Sequence, residues 1–207
     1  MSADHPTRDR LLDEAMRLFA AHGYASTTVA DIQLACGLTA GSGALYKHFP
    51  SKYAVLEAGV RQYVATLATS RRDVVEQLPD NPREVLRHVV NEVWAAMDRD
   101  APMLRIILRD LDQFPALREE AWQGVLTNVY VGFADVLREL RSKGAVHVAA
   151  PEATAAVLAA SLTYYPILGA LISHVPGDVP SDDFAAAWIQ HAAASLGVAP
   201  ASPALRE

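Results

Sequence analysis

The 207-residue sequence is poor in several things at once. It has a single cysteine, so no disulfide can close within the chain, and a reducing compartment is the natural expectation. Charged residues make up only 20%, with 18 basic against 24 acidic side chains and a net charge of −6. That balance excludes a generic polycation coating nucleic acid or membrane, but it leaves room for a local basic face. No run alternates apolar and polar residues long enough to suggest a strand. Internal repeats are missing, as are nucleophile-elbow and zincin motifs. The opening MSADHPTRDR has no apolar core of a secretion signal, so none is expected. Apolar residues, by contrast, reach 51%, which makes the chain globular rather than disordered.

One long uncharged stretch, residues 153–173, has the length of a membrane span. It is mostly alanine and includes Thr154, Ser161, Thr163, Tyr164, Tyr165 and Pro166, with Glu152 and Asp178 flanking it. Membrane anchors are usually flanked by Lys or Arg on the cytoplasmic side. A helix buried against protein is the better reading. No membrane partner is expected, and a cytoplasmic location is.

Helical spacing runs through nearly the whole chain. Leu11, Leu12, Ala15, Leu18 and Phe19 form one face, ended by Gly23. Thr28-Val29-Ala30-Asp31 reads as a capping box opening a two-turn helix with Val29, Ile32 and Ala35–Cys36 inward, up to Gly37. A short helical piece is expected from Gly43 to Phe49. Ser51 then caps a long helix, Ser51–Gln77. Asn81-Pro82-Arg83-Glu84 starts a helix through Val85, Val89, Val93, Trp94 and Met97, and Met103–Leu111 reads as a separate short one. A long helix follows from about Ala116 to Lys143. Pro151 opens the uncharged helix, and Ser181 caps a last one through Phe184, Trp188 and Ile189. The termini, including the Ala/Pro tail from Ala199, read as flexible. The fold class is all-α.

Residues 25–52 carry the chemistry. Two short helices joined by a glycine-containing turn and packed on a first helix make a helix-turn-helix, whose second helix offers its N-terminal side chains to the major groove. Ala40, Gly41, Ser42, Gly43, Ala44 and Lys47 occupy that position. Small residues permit close approach, and a serine hydroxyl can meet a base edge. Thr27 and Thr28 suit a phosphate oxygen, and Tyr46, His48 and Lys52 supply further backbone contacts.

Arg10-Leu11-Leu12, Ala15, Leu18-Phe19, Gly23-Tyr24, Thr27-Thr28, Ile32, Gly37-Leu38-Thr39, Leu45-Tyr46-Lys47-His48-Phe49 and Ser51-Lys52 stand in order. This pattern resembles the tetracycline-repressor (TetR/AcrR) family of one-component regulators over about the first 60 residues. The resemblance implies an N-terminal three-helix helix-turn-helix domain, residues 1–60, followed by a helical ligand-binding and dimerisation domain, residues 61–207. Two positions depart from the family. The segment from Gly37 to Tyr46 is about two residues longer than usual, with the extra Gly/Ser material where the recognition helix would begin. Gln33 stands where alanine is usual, and a solvated helix residue is the preferred reading over one that reaches DNA.

Residues 1–60 have a net charge of −1, which is poor for a DNA-binding domain. Between Leu45 and Arg72, however, Lys47, Lys52, Arg61, Arg71 and Arg72 face only Glu57, a net +4. The last three basic residues also fit a solvated helix face. About two phosphate contacts per subunit are expected, each adding about −0.9 to the salt slope.

Other features read more plainly. Cys36 is expected to be a small core residue rather than a redox sensor. Gly41-x-Gly43 lacks the strand and third glycine of a nucleotide loop. His88 and Glu92, one turn apart, are expected at solvent or in a local hydrogen bond rather than on a metal. His22, His147, His174 and His191 show no ligand spacing. No metal, cofactor or catalytic residue is expected, and an enzyme is not.

Trp94, Met97, Met103, Ile106, Phe114, Trp122, Leu126, Tyr130, Tyr164 and Tyr165 are core by default, but they also suit an apolar ligand cavity. The family resemblance makes them candidates for a pocket. Arg105 and Arg109 are expected to pair with Asp110 and Asp112. The last two helices expose more apolar surface than one bundle covers, so Leu158, Leu162, Leu168, Leu171, Phe184 and Trp188 are expected in a homodimer interface. The function expected is a ligand-responsive repressor that binds a palindromic double-stranded DNA operator as a homodimer and is released by a small, apolar effector. A small helical enzyme or carrier and a membrane-associated protein are the rival readings; neither explains the ordered match from Arg10 to Lys52.

Overall fold

The computed structural model describes the backbone of residues 4–76 and 78–198 and the side chains of residues 7–69, 78–170 and 172–198. Gln77, the Ala199 tail, the first three residues and the side chains of Arg71, Arg72 and Leu171 lie outside the described set. All regular structure among the described residues is helical: α1 (Asp4–His22), α2 (Val29–Ala35), α3 (Lys52–Glu76), α4 (Pro82–Asp110), α5 (Pro115–Ser142), α6 (Pro151–Ile172) and α7 (Ser181–Ser195), with single 3-10 turns at Leu45–Lys47, Leu111–Gln113 and Pro176–Asp178.

The helix starts follow the sequence signals. The Thr28 hydroxyl accepts the Asp31 N–H at 3.1 Å while the Asp31 carboxylate accepts the Thr28 N–H at 2.8 Å, a reciprocal capping box. Ser51 Oγ accepts the Ala54 N–H at 3.0 Å, and Asn81 Oδ1 accepts the Arg83 N–H at 2.9 Å. Ser181 is instead the first helical residue; Pro180 holds the cap position, and no side chain caps that end.

α4 corrects the expectation of two helices, running unbroken through Pro102. Buried apolar residues lie on both sides of the proline, Leu86 and Val90 before it and Leu104 and Ile107 after it. Asp98, whose carbonyl loses its helical partner to the proline, is exposed and open to water. Packing on either side of Pro102 outweighs the local break.

The chain divides into two compact units, one comprising residues up to Leu67 with Arg99–Val125, the other Ala68–Asp98 with residues from Leu126 onward. Helices α3, α4 and α5 contribute to both. The first unit closes over Leu11, Phe19, Ile32, Leu45, Leu56, Ile106, Ile107 and Leu111, all at most 2% exposed. The second closes over Val85, Leu86, Phe133, Leu137, Leu158, Leu162, Trp188 and Leu196.

That second core corrects part of the interface expectation. Leu158, Leu162 and Trp188 are buried within the single chain, and Trp188 Nε1 donates to Ser161 Oγ at 2.9 Å. Phe184 packs against this core and Leu168 is half-buried. α6 is long and apolar enough to cross a membrane by length and composition, with a mean hydropathy of 1.3 over Pro151–Ala170. It buries one face in the core through Ala155, Leu158, Ala159 and Leu162, and leaves Ala156, Val157, Ala160 and Tyr164 exposed. Such a weakly apolar helix, half committed to a protein core, does not indicate a membrane protein.

Candidate nucleic-acid interface

The interface is built on α1, α2 and the segment between α2 and α3. Arg10, on α1, donates through its guanidinium to the Cys36 carbonyl, and the Cys36 thiol contacts the Arg10 carbonyl at 3.5 Å. Cys36 is buried, as its core reading expects, and burial pushes its thiol pKa up.

Between α2 and α3 the chain departs from expectation. Gly41 and Gly43 adopt φ of +75° and +69°, a region open to glycine at little steric cost. Two left-handed residues in three interrupt a right-handed helix. The helix expected over Gly43–Phe49 therefore contracts to the 3-10 turn at Leu45–Lys47, with the Tyr46 and His48 N–H groups bonded to the Gly43 and Leu45 carbonyls at 3.1 and 3.0 Å. Leu45 and Phe49 anchor the segment in the core. Ala40, Gly41, Ser42, Tyr46 and Lys47 face solvent, while Gly43, Ala44 and His48 are half-buried. Gln33 corrects the solvated reading. It is 1% exposed, and its Nε2 donates to Ser42 Oγ at 3.1 Å.

Residues 11–58 match the family described as bacterial regulatory proteins, tetR family. That segment, residues 11–58, belongs to the TetR family. The chain is 33% identical over 131 residues to the HTH-type transcriptional repressor KstR2 of Rhodococcus jostii, covering 58% of this chain and 63% of that one. An uncharacterized HTH-type transcriptional regulator of Bacillus subtilis, YerO, is 35% identical over 39% of this chain and 27% of its own. The chain thus matches between about a quarter and under two thirds of the length of these relatives. Two solved structures share the fold over nearly the whole chain. One is a TetR-family regulator from Mesorhizobium loti, with TM-score 0.74, 18% identity and coverage of 95% and 96%. The other is SmeT in complex with triclosan, with TM-score 0.67, 24% identity and coverage of 98% and 100%.

Within this TetR-family head, several expected contact residues turn inward. Thr27 is buried, its hydroxyl donating to the Gly23 carbonyl at 2.8 Å. Thr28 is exposed but engaged in its capping box, where the same hydrogen bonds hold the Asp31 carboxyl below its usual range. Lys52, expected on a phosphate, donates from Nζ to the Tyr24 and Thr27 carbonyls at 2.8 Å each and lies 4.2 Å from the Tyr24 ring centroid. Burial lowers its pKa. Its ammonium pins the α1–α2 turn. Arg61 is likewise paired, with Glu57 at 3.2 Å and Glu120 at 2.8 Å. Of the expected basic cluster, Lys47 alone among the described side chains stands exposed without one of these internal engagements.

Two supports of this head carried no sequence signal. Arg109 pairs with Asp110 at 3.0 Å, as expected, but also donates to the Phe19 and Ala20 carbonyls at the end of α1. Asp110 is buried. Phe114, a pocket candidate, fills an aromatic cluster with Tyr24 and Tyr53, at ring centroid distances of 5.1 and 4.9 Å. Exposed Leu34, on α2, had no sequence signal beyond its helical phase. Asp112 takes Arg118 as its partner, at 2.9 Å.

The pocket candidates fall in both units. Met103, Ile106, Phe114 and Trp122 belong to the first, with Ile106 fully buried; Trp94, Met97, Leu126, Tyr130, Tyr164 and Tyr165 belong to the second. Leu126 and Tyr164 are 61% and 53% exposed. Trp94 stacks on Tyr165 at 5.4 Å and 15°, and Tyr165 packs on Phe184 at 4.6 Å. Tyr165 donates to the Val179 carbonyl at 2.7 Å, and Trp94 Nε1 to the Leu162 carbonyl at 3.2 Å. His88 is half-buried, and its Nε2 has no hydrogen-bond partner among the described residues. No group of three metal-ligating side chains gathers among the described residues.

Proposed function

We propose that this TetR-family chain is a cytoplasmic transcriptional repressor that binds a roughly palindromic double-stranded DNA operator as a homodimer and is released by a small apolar effector. The observation that carries the reading is the exposed segment Ala40–Ser42 with Tyr46 and Lys47, mounted on buried Leu45 and Phe49. Small residues with a hydroxyl and a lysine suit a major-groove edge, and Tyr46 suits a phosphate. Thr28 and His48 lie alongside as further backbone contacts. Lys52 and Thr27 act through the turn they hold. Repression is favoured by the likeness to KstR2, a named repressor.

Residues 1–60 do the reading, and residues 61–207 do the sensing and pairing. The exposed apolar face of α6, with Val157 at 61% and Tyr164 at 53%, together with exposed Ala186, Ala187 and Ala194 on α7, suits an isologous four-helix interface. Phe184, Leu168 and Leu171 lie on the same two helices. The Trp94–Tyr165–Phe184 cluster, with Met97 and Tyr130, offers adaptable apolar surface to an effector, and SmeT, of the same fold, holds the apolar molecule triclosan. Release requires that the effector bind the state that does not fit DNA more tightly than the state that does. The reading needs no cofactor and no catalytic residue.

Selection of bound duplexes from a random pool, followed by small-molecule release and light scattering, tests it. A palindromic consensus bound by a dimer is expected. Absence of salt-dependent binding to any duplex, or a monomer at micromolar concentration, would refute it.

A further inference from the structure

We propose that Gln33 sets the base preference of this protein by fixing the hydrogen-bond polarity of the Ser42 hydroxyl. The inference rests on the reading of Ala40–Lys47 as the DNA-reading segment. Gln33 is 1% exposed in the head's core, yet its Nε2 donates outward to Ser42 Oγ at 3.1 Å. The Ala44 N–H approaches the same oxygen at 3.4 Å. A serine hydroxyl has two acceptor lone pairs and one proton. Both acceptor directions are thus turned to the protein, and the function left for a partner is the proton.

The surrounding backbone supports that role. Gly41 and Gly43 flank Ser42 at φ of +75° and +69°, and a Cβ at either would meet nothing within 4 Å. Ser42 is therefore presented from open, side-chain-free backbone. The Gln33 main-chain carbonyl also accepts the Leu38 N–H at 2.8 Å, so this position holds the turn at its start through its backbone and the loop at its tip through its side chain.

A hydroxyl held as a donor matches the acceptor edges of the major groove: guanine O6 and N7, adenine N7 and thymine O4. Its lone pairs are turned toward the Gln33 amide and the Ala44 N–H, so it is a poorer match for the amino group of cytosine. Gln33 touches no base and is a positioning residue; Ser42 is the reader.

The test is duplex selection with the full-length chain and three variants, Gln33→Leu, Ser42→Ala and the double variant, with melting temperature and salt slope measured on each. Gln33→Leu is expected to flatten the preference at one base pair of each half-site by about fivefold, the worth of one neutral hydrogen bond. Ser42→Ala should flatten the same base pair, and the double variant should add nothing. The salt slope stays unchanged because no phosphate contact is lost. Additive effects, or an even loss across all positions, would overturn the proposal. Should Gln33→Leu fail to fold, Ser42→Ala on the exposed loop still decides: an unaltered base preference there overturns it. Failure of the parent chain to bind any duplex sinks the DNA-reading function itself, an outcome distinct from binding with preference intact.

Discussion

Replacing Lys52 by methionine keeps the apolar stem and removes the ammonium, separating two roles that the sequence alone merges. Nζ holds the Tyr24 and Thr27 carbonyls at 2.8 Å each and sits 4.2 Å from the Tyr24 ring centroid. A hydrogen bond from a charged donor contributes about 1.5–3 kcal/mol, and a partly exposed cation–π contact about 0.5–1 kcal/mol. The residue is half-buried, so water rehydrates both carbonyls in the variant and the simple sum overstates the loss. A cost of about 2–3 kcal/mol remains. At roughly 2–4 °C per kcal/mol for a chain of 150–250 residues, the melting transition should fall by about 4–12 °C. Circular dichroism melts of Lys52→Met beside the parent chain measure it. A lysine that merely touches phosphate predicts the reverse pattern: an unchanged melt, with a salt slope shallower by about 0.9. Finding that pattern would refute the pin.

Three further outcomes follow from the same geometry. Arg109→Met strips the Phe19 and Ala20 carbonyls of their donor and leaves buried Asp110 unpaired, which should cost about 2–3 kcal/mol after allowing for the arginine's partial exposure; a urea midpoint equal to the parent's contradicts it. The Cys36 thiol, raised by burial, should alkylate far more slowly at pH 8 than a free cysteine until denaturant is added, and equal rates under both conditions would count against its core position. Asp31 and Glu120 are held below the ordinary carboxylate value by Thr28 and Arg61 respectively. Their contribution is present above pH about 4 and is lost as the pH falls through the folded-state values, so combining Asp31→Asn with Glu120→Gln should flatten the acid limb of an equilibrium unfolding curve.

Much of this was legible from short-range pattern. Caps at Thr28, Ser51 and Asn81 depend on groups two or three residues apart, and the inward face of α1 depends on a 3.6-residue period. Such local interactions survive in any context that keeps the helix. The break expected near Pro102 was local too, but it lost to the packing of buried residues on either side. The segment between α2 and α3 took another form than its spacing predicts, because two positive-φ glycines outweighed the helical spacing of Leu45 and Phe49.

The long-range partners were beyond sequence reasoning for a different cause. Lys52 lies 28 residues from Tyr24 and Arg109 lies 90 from Phe19; a basic side chain looks the same whether it faces phosphate or a carbonyl of its own chain. Gln33 reads as a surface residue because amides usually sit at solvent, and only its partner Ser42 accounts for its burial.

The sequence by itself determined the all-helical class, most helix starts and the regulator-family match of residues 11–58, since these rest on periodicity, caps and ordered motifs. Only the tertiary structure decided which polar groups remain available to a partner. Availability is what is left after the fold has satisfied its own buried donors and acceptors. That accounting turned Thr27 and Lys52 inward and left Ser42, Tyr46 and Lys47 at the surface.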